Sequence, residues 1–187
     1  ILMMSDFIGY GSSIDKPSFY HSGDVNARNS LDGLVAARKL LTDKQIPMGK
    51  YLFNLGFSQG GSETLYVAKL RDMEYKDKVT ITKSFAGGGP TDYVIAYKEY
   101  VKRDWCEDCK DVVMMLISAV ENLHLNIDYK DLFKEPLATG AKEYVKTKKK
   151  ETLGDYGVSM DDSLSHLIQP AYMDLESDQA KAFMARS

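Results

Sequence analysis

Lys50-Tyr-Leu-Phe-Asn-Leu-Gly-Phe-Ser-Gln-Gly-Gly61 opens as a short, almost continuous apolar run and closes on small residues. Such a run, bounded by turn signals, predicts a strand buried on both faces. It turns at Gly56-Phe57-Ser58-Gln59-Gly60, which fits Gly-x-Ser-x-Gly. Behind the turn, Ser62-Glu-Thr-Leu-Tyr-Val-Ala-Lys-Leu70 reads as a helix. A strand, a tight turn with serine at its apex and a helix together form the context of a nucleophile elbow. Glycines suit it because the backbone must bend tightly and pack closely, where a Cβ would clash. The serine then stands at a helix N-terminus, where free amides and the dipole favour developing negative charge. Ser58 is therefore the candidate nucleophile, and the Gln59 backbone N–H a candidate oxyanion donor. The competing reading is an ordinary N-cap serine on a glycine-softened turn.

Outward from this stretch, the chain repeats one theme. Ile1–Ile8 predicts a strand, left through Gly9-Tyr10-Gly11-Ser12-Ser13. Asp24 is a good N-cap, and Ala27, Leu31, Leu34 and Leu41 follow on one helical face as far as Thr42–Lys44. After the serine helix comes a charged loop, Arg71–Lys78, and then Val79–Phe85, which is β-branched and alternating and so predicts a third strand. Two consecutive βαβ units imply a parallel sheet with right-handed crossovers. Ligand sites in such sheets lie beyond the carboxyl ends of the strands. The loops Gly9–Ser13, Gly56–Gly61 and Ala86–Pro90 are expected to meet there. Ile1–Ile8 has the apolar character of a strand with neighbours, so the expectation is that the chain lacks the beginning of its fold and leaves bare sheet edges.

After Pro90 the strand signals stop. Helices are predicted over Asp92–Val101, Asp111–Leu123, Ala141–Lys149 and Asp178–Met184. Val112-Val-Met-Met-Leu-Ile117 is nearly all apolar, which reads first as a core helix and second as an acyl-binding surface offered by adaptable methionines. Lys146-Thr-Lys-Lys-Lys150 reads as a solvated helix end. The expected division is residues 1–92, a partial α/β core, and residues 93–187, a helical region.

Composition narrows the classes. The 187 residues carry a net charge of −3, with 44% hydrophobic and 27% charged residues, which gives no electrostatic reason for a nucleic-acid partner. No apolar run approaches the roughly 18 residues that cross a bilayer, and the first residues show neither a charged leader nor a cleavage site. Cys106 and Cys109, without further ligands at zinc spacing, read as two free thiols or one short-loop disulfide at a helix start. Neither a metal nor a cofactor is expected.

Asp6-Phe-Ile-Gly-Tyr-Gly-Ser-Ser, a helix, Gly-Phe-Ser-Gln-Gly-Gly, and a strand leading to Ala-Gly-Gly-Gly-Pro together resemble the middle of an α/β-hydrolase. The resemblance is closest to bacterial secretory-lipase-like enzymes, in which a helical cap follows the strand after the nucleophile helix. It covers Ile1 to about Tyr93. It implies a doubly wound parallel sheet, partial in this chain, with an inserted helical cap. It further implies hydrolysis of a small-molecule ester through an acyl-enzyme on Ser58, and a secreted or periplasmic protein. A prolyl-oligopeptidase-like peptidase uses a similar elbow, and a non-catalytic hydrolase-like binding module is the alternative outside enzymes. The acid and histidine of such sites follow the cap in the order Ser, Asp, His, and no convincing pair is found. His21, His124 and His166 are weak candidates for the base. Asp92 could be the acid, but it reads better as the cap of the next helix. The chain alone is therefore not expected to be a self-sufficient catalyst.

Overall fold

The computed structural model describes every residue except Pro17, His21, Arg186 and Ser187. The chain divides into two compact units, Ile1–Thr91 and Asp92–Ser187.

In the first unit, α1 (Gly23–Asp43) precedes β1 (Phe53–Phe57), α2 (Gln59–Leu70) and β2 (Lys83–Gly87). β1 and β2 pair in parallel, in register from Phe53 opposite Lys83 to Phe57 opposite Gly87. Parallel pairing requires the crossover that α2 supplies. Ala27 and Leu31 of α1, Val67 and Leu70 of α2, and Tyr75, Val79 and Ile81 of the connection form one buried cluster. Leu34, as expected of that helical face, packs against it. Tyr75 pins the connection to α1, its hydroxyl donating to Asp32 Oδ1 at 2.6 Å. The predicted loop after α2 is instead helical: α2 runs on through a π-helical stretch, Arg71–Tyr75.

Three strand expectations are corrected. Ile1–Ile8 forms no strand. It lies beside α1, with Ser5 Oγ donating to Asn29 Oδ1 at 3.3 Å, and a cavity of about 500 Å³ separates it from Leu52–Leu55. Apolar composition alone cannot make a strand where no ladder is within reach. The third strand starts at Lys83 rather than Val79, because Val79 N–H still donates to Tyr75 O at 2.9 Å, closing the preceding turn. Ahead of Lys83 its ladder is prolonged by Thr82 N–H, which donates to Leu52 O at 2.7 Å.

The central strand is half-buried on one face and exposed on the other. Asn54 and Gly56 turn towards α2, with Asn54 Nδ2 donating to Thr64 O at 3.1 Å. Phe53, Leu55 and Phe57 turn the other way, Leu55 at 66% and Phe57 at 79% exposure, and Phe85 joins them from β2. Phe53 and Phe85 keep their rings 6.3 Å apart on this open face. Among the described residues no further strand pairs with β1 or β2.

The second unit is helical: α3 (Tyr93–Arg103), α4 (Cys109–Asn122), α5 (Tyr129–Leu132), α6 (Leu137–Thr147), α7 (Lys150–Asp155), α8 (Leu164–Leu167), α9 (Pro170–Met173) and α10 (Asp178–Met184). Four of these match the predicted helices within a few residues. The short helices α5, α7, α8 and α9 carry too few turns for a periodic signal. No strand forms here among the described residues beyond two isolated bridges, Cys106 with Asp162 and Phe133 with Ile168. α4 buries Val112, Val113, Met114, Leu116, Ile117 and Val120, so its apolar middle belongs to the unit's own core. Cys106 and Cys109 form a disulfide at the start of α4. Lys150 is not a solvated helix end: it opens α7 and pairs with Asp108 at 3.0 Å and Asp111 at 2.7 Å.

Candidate active site

Phe57 and Gly87 end their strands side by side, so the loops that follow them leave the sheet at the same rim. The first of these loops is a single residue. Ser58 has φ 56° and ψ −123°, a region that costs a non-glycine residue on the order of 1–3 kcal/mol and persists only when its surroundings hold it.

The surroundings do hold it. Ser58 N–H donates to Gly87 O at 2.8 Å, and Ser58 O accepts from Gly61 N–H at 2.9 Å and Ser62 N–H at 3.3 Å. A Cβ on Gly56 would lie 2.0 Å from Gly60 O, one on Gly61 2.3 Å from Gly87 O, and one on Gly89 2.3 Å from Ser58 O. Three backbone segments thus meet at distances only glycine allows. Gly60 is different, since a Cβ there would meet nothing within 4 Å. The expectation that the motif's glycines are all sterically required is corrected at that position. Gly61, outside the pentapeptide, carries the requirement instead.

The helix-capping reading of Ser58 also fails. Ser58 occupies the N-cap position of α2, yet its side chain makes no capping hydrogen bond, and the residue is exposed. Gln59 is the first residue of α2, and its N–H has no acceptor within the helix. The β2 loop is fastened to the same turn by Ser62 Oγ, which donates to Pro90 O at 2.6 Å. The structure brings Gly56–Gly61 and Gly87–Pro90 together. It does not make Gly9–Ser13 a loop of this sheet's rim, because no strand precedes it; Ser13 Oγ instead accepts from Gly9 N–H at 3.0 Å.

The remaining candidates have local roles. Asp92 caps α3, accepting from Ile95 N–H at 2.9 Å. His124 sits at φ 50° just beyond α4. His166, with its side chain 73% exposed, pairs through Nδ1 with Asp162 Oδ1 at 2.9 Å. Burial would raise the Asp162 carboxyl, but hydrogen bonds from His166, Ser163 and Ser159 hold it below its ordinary range. His21 lies outside the described residues.

One residue near the elbow escaped the sequence reading. Glu63 on α2 is 4% exposed and accepts from Asn26 Nδ2 of α1 at 2.9 Å. Burial, with a contribution from Asp24, pushes its carboxyl up to about 7 against the hydrogen bond from Asn26. A signal was present: Glu63, Val67 and Leu70 recur at i, i+4 and i+7, which places a carboxylate on the helix's apolar stripe. Among the described residues, no group of three or more His, Cys, Asp or Glu side chains could hold a metal ion.

Solved structures share this architecture. A presumed hydrolase from Legionella pneumophila superposes with a TM-score of 0.80 at 19% identity, covering 97% of this chain and 49% of its own. The rice cell wall degrading esterase LipA from Xanthomonas oryzae gives 0.80 at 17% identity, covering 96% of this chain and 49% of its own. A ligand-bound form of LipA gives 0.71 at 16% identity, covering 91% and 46%. No protein-family model and no curated protein sequence matches. The chain has a fold shared with hydrolase and esterase structures, and it spans about half their length. No helix among the described residues is long and apolar enough to cross a membrane.

Proposed function

We propose that this chain carries the nucleophile of a serine ester hydrolase and acts through an acyl-enzyme on Ser58. The observation that supports it best is Ser58 itself: exposed, held at positive φ between a strand and a helix, with a hydroxyl that does not cap the helix it precedes. A strained backbone enforced by three glycine contacts serves no purpose for a mere turn. The Ser58 oxygen would attack the ester carbonyl carbon and the C–O bond to the alcohol would break, the serine proton ending on the departing oxygen as the acyl-enzyme forms. The Gln59 N–H would donate to the oxyanion at the positive end of α2. Water would then cleave the acyl-serine.

In this reading residues 1–92 are the partial α/β-hydrolase core of a doubly wound sheet and residues 93–187 its helical cap. The substrate is a small carboxylic ester, no cofactor takes part, and the protein is secreted or periplasmic. The likeness to esterase structures supports the hydrolytic part of this reading, as does the order of elements around Ser58.

The test is turnover of p-nitrophenyl esters by the intact protein and its Ser58→Ala variant, with mass spectrometry of a fluorophosphonate adduct. Loss of turnover by a factor on the order of 10³ or more, with unchanged circular dichroism and the adduct on Ser58, is expected. A variant keeping a tenth of the rate, an adduct elsewhere, or a wild-type protein inert to both reagents overturns the proposal.

A further inference from the structure

The contact between Asn26 and Glu63 is incomplete in a specific way. Asn26 is 1% and Glu63 4% exposed. Asn26 Nδ2 donates both its hydrogens, to Phe19 O at 2.8 Å and to Glu63 Oε1 at 2.9 Å. The Phe19 carbonyl can only accept, which fixes the nitrogen on that side of the amide. Two buried atoms of the pair are then left over, Asn26 Oδ1 and Glu63 Oε2, and neither has a hydrogen-bond partner among the described residues. Both are acceptors while Glu63 is ionised, so neither can satisfy the other. An orphan of this kind carries its full desolvation penalty, which is larger for a charged group.

A single proton removes both faults. A carboxylic acid and a primary amide are complementary, the amide N–H donating to one carboxyl oxygen and the acid O–H donating to the amide oxygen. We propose that Glu63 is carried as a neutral acid near neutral pH, its Oε2–H donating to Asn26 Oδ1. The closed acid–amide ring then clamps α1 and the Phe19 segment to the helix that begins behind Ser58.

The surroundings favour the neutral form. Glu63 lines the cavity of about 500 Å³ together with Leu31, Leu34, Val67 and Ile81, and among the described residues no other ionisable side chain lines it. From α1 the nearby charge is Asp24, which is of like sign and opposes ionisation. Arg28, one turn further along α1, is engaged with Glu74 at 2.6 Å instead. Burial supports the same conclusion, placing the titration at about 7 against an ordinary 4.5.

The sign follows. The folded state binds a proton that the unfolded state has released above pH 4.5, so this contribution to stability is complete below that pH and declines as pH rises towards 7. The difference between 4.5 and about 7 corresponds to roughly 300-fold in the folding equilibrium. Glu63→Gln should abolish that decline, because the amide N–H of the substituted side chain can donate permanently to Asn26 Oδ1.

Two measurements on the full chain decide it, and neither depends on whether Ser58 is catalytic. In ¹³C NMR, the Glu63 carboxyl carbon of the wild-type protein should titrate above pH 6; a midpoint below pH 6 overturns the clamp. In urea unfolding between pH 4 and 8, the wild type should lose stability relative to E63Q by roughly 300-fold in equilibrium constant. Parallel pH profiles for the two proteins overturn it equally.

Discussion

Two glycines four residues apart in the serine turn should respond to alanine with opposite signs. At Gly56 the new Cβ would stand 2.0 Å from Gly60 O, 2.3 Å from Gly60 C and 2.8 Å from Thr64 Oγ1. The first two are backbone atoms of the following helix, so no side-chain rotation relieves the overlap; β1 and α2 must separate. Overpacking of this kind costs about 1–3 kcal/mol, and a backbone obstacle puts Gly56→Ala at the upper end, about 3 kcal/mol. At Gly60 the Cβ meets nothing within 4 Å and the residue is already in the first turn of α2. Relief of glycine's backbone entropy should then make Gly60→Ala neutral or stabilising by about 0.5 kcal/mol. With a urea slope of about 2 kcal/mol/M, the two midpoints should differ by roughly 1.5 M when unfolding is followed by far-ultraviolet circular dichroism. Equal midpoints, or a Gly60→Ala protein less stable than Gly56→Ala, would refute the assignment of close packing to Gly56. Ester turnover, if present, should follow the same order, since only the first substitution moves Ser58.

Two smaller perturbations test the second unit. Cys106 and Cys109 close a loop of sequence separation 3, for which chain entropy gives about 2 kcal/mol, so reduction by dithiothreitol should lower stability by no more than that. A loss above about 4 kcal/mol would show that the disulfide organises the unit rather than trimming its unfolded ensemble. Asp92→Ala removes the acceptor for Ile95 N–H and should cost about 1 kcal/mol, with Asp92→Asn nearly neutral; selective loss of ester turnover without loss of stability in Asp92→Ala would instead make Asp92 part of the chemistry.

Much of this protein could be read from local pattern. The serine turn was legible because its residues carry the information themselves: small residues where backbones touch, an apolar strand before and a helix after. The helix over Asp24–Lys44 and the cap role of Asp92 were legible for the same reason, since period and capping chemistry act within a few residues. What failed was the inference that two apolar runs are covered. The apolar runs at Ile1–Ile8 and Tyr51–Phe57 were read as buried, yet burial depends on which element arrives opposite them. Only the folded chain shows α2 on the side of Asn54 and Gly56 and leaves Phe53, Leu55 and Phe57 in the open. Ile1–Ile8 failed as a strand for a related reason, because a ladder needs a partner within about 5 Å and a cavity stands there instead.

The same division runs through the site. Sequence by itself determined that a serine stands between a strand and a helix, because the bend and the small residues are encoded in consecutive positions. Tertiary structure decided which glycines are indispensable, for the atoms that Gly56, Gly61 and Gly89 would strike belong to other segments. It also decided the fate of Glu63, a residue whose helical position is plain in the sequence. Its charge state depends on Asn26, 37 residues away, and on how deeply α1 and α2 bury the pair. Conformation is set largely by near neighbours along the chain, whereas the energy of a buried charge is set by whatever the fold packs around it.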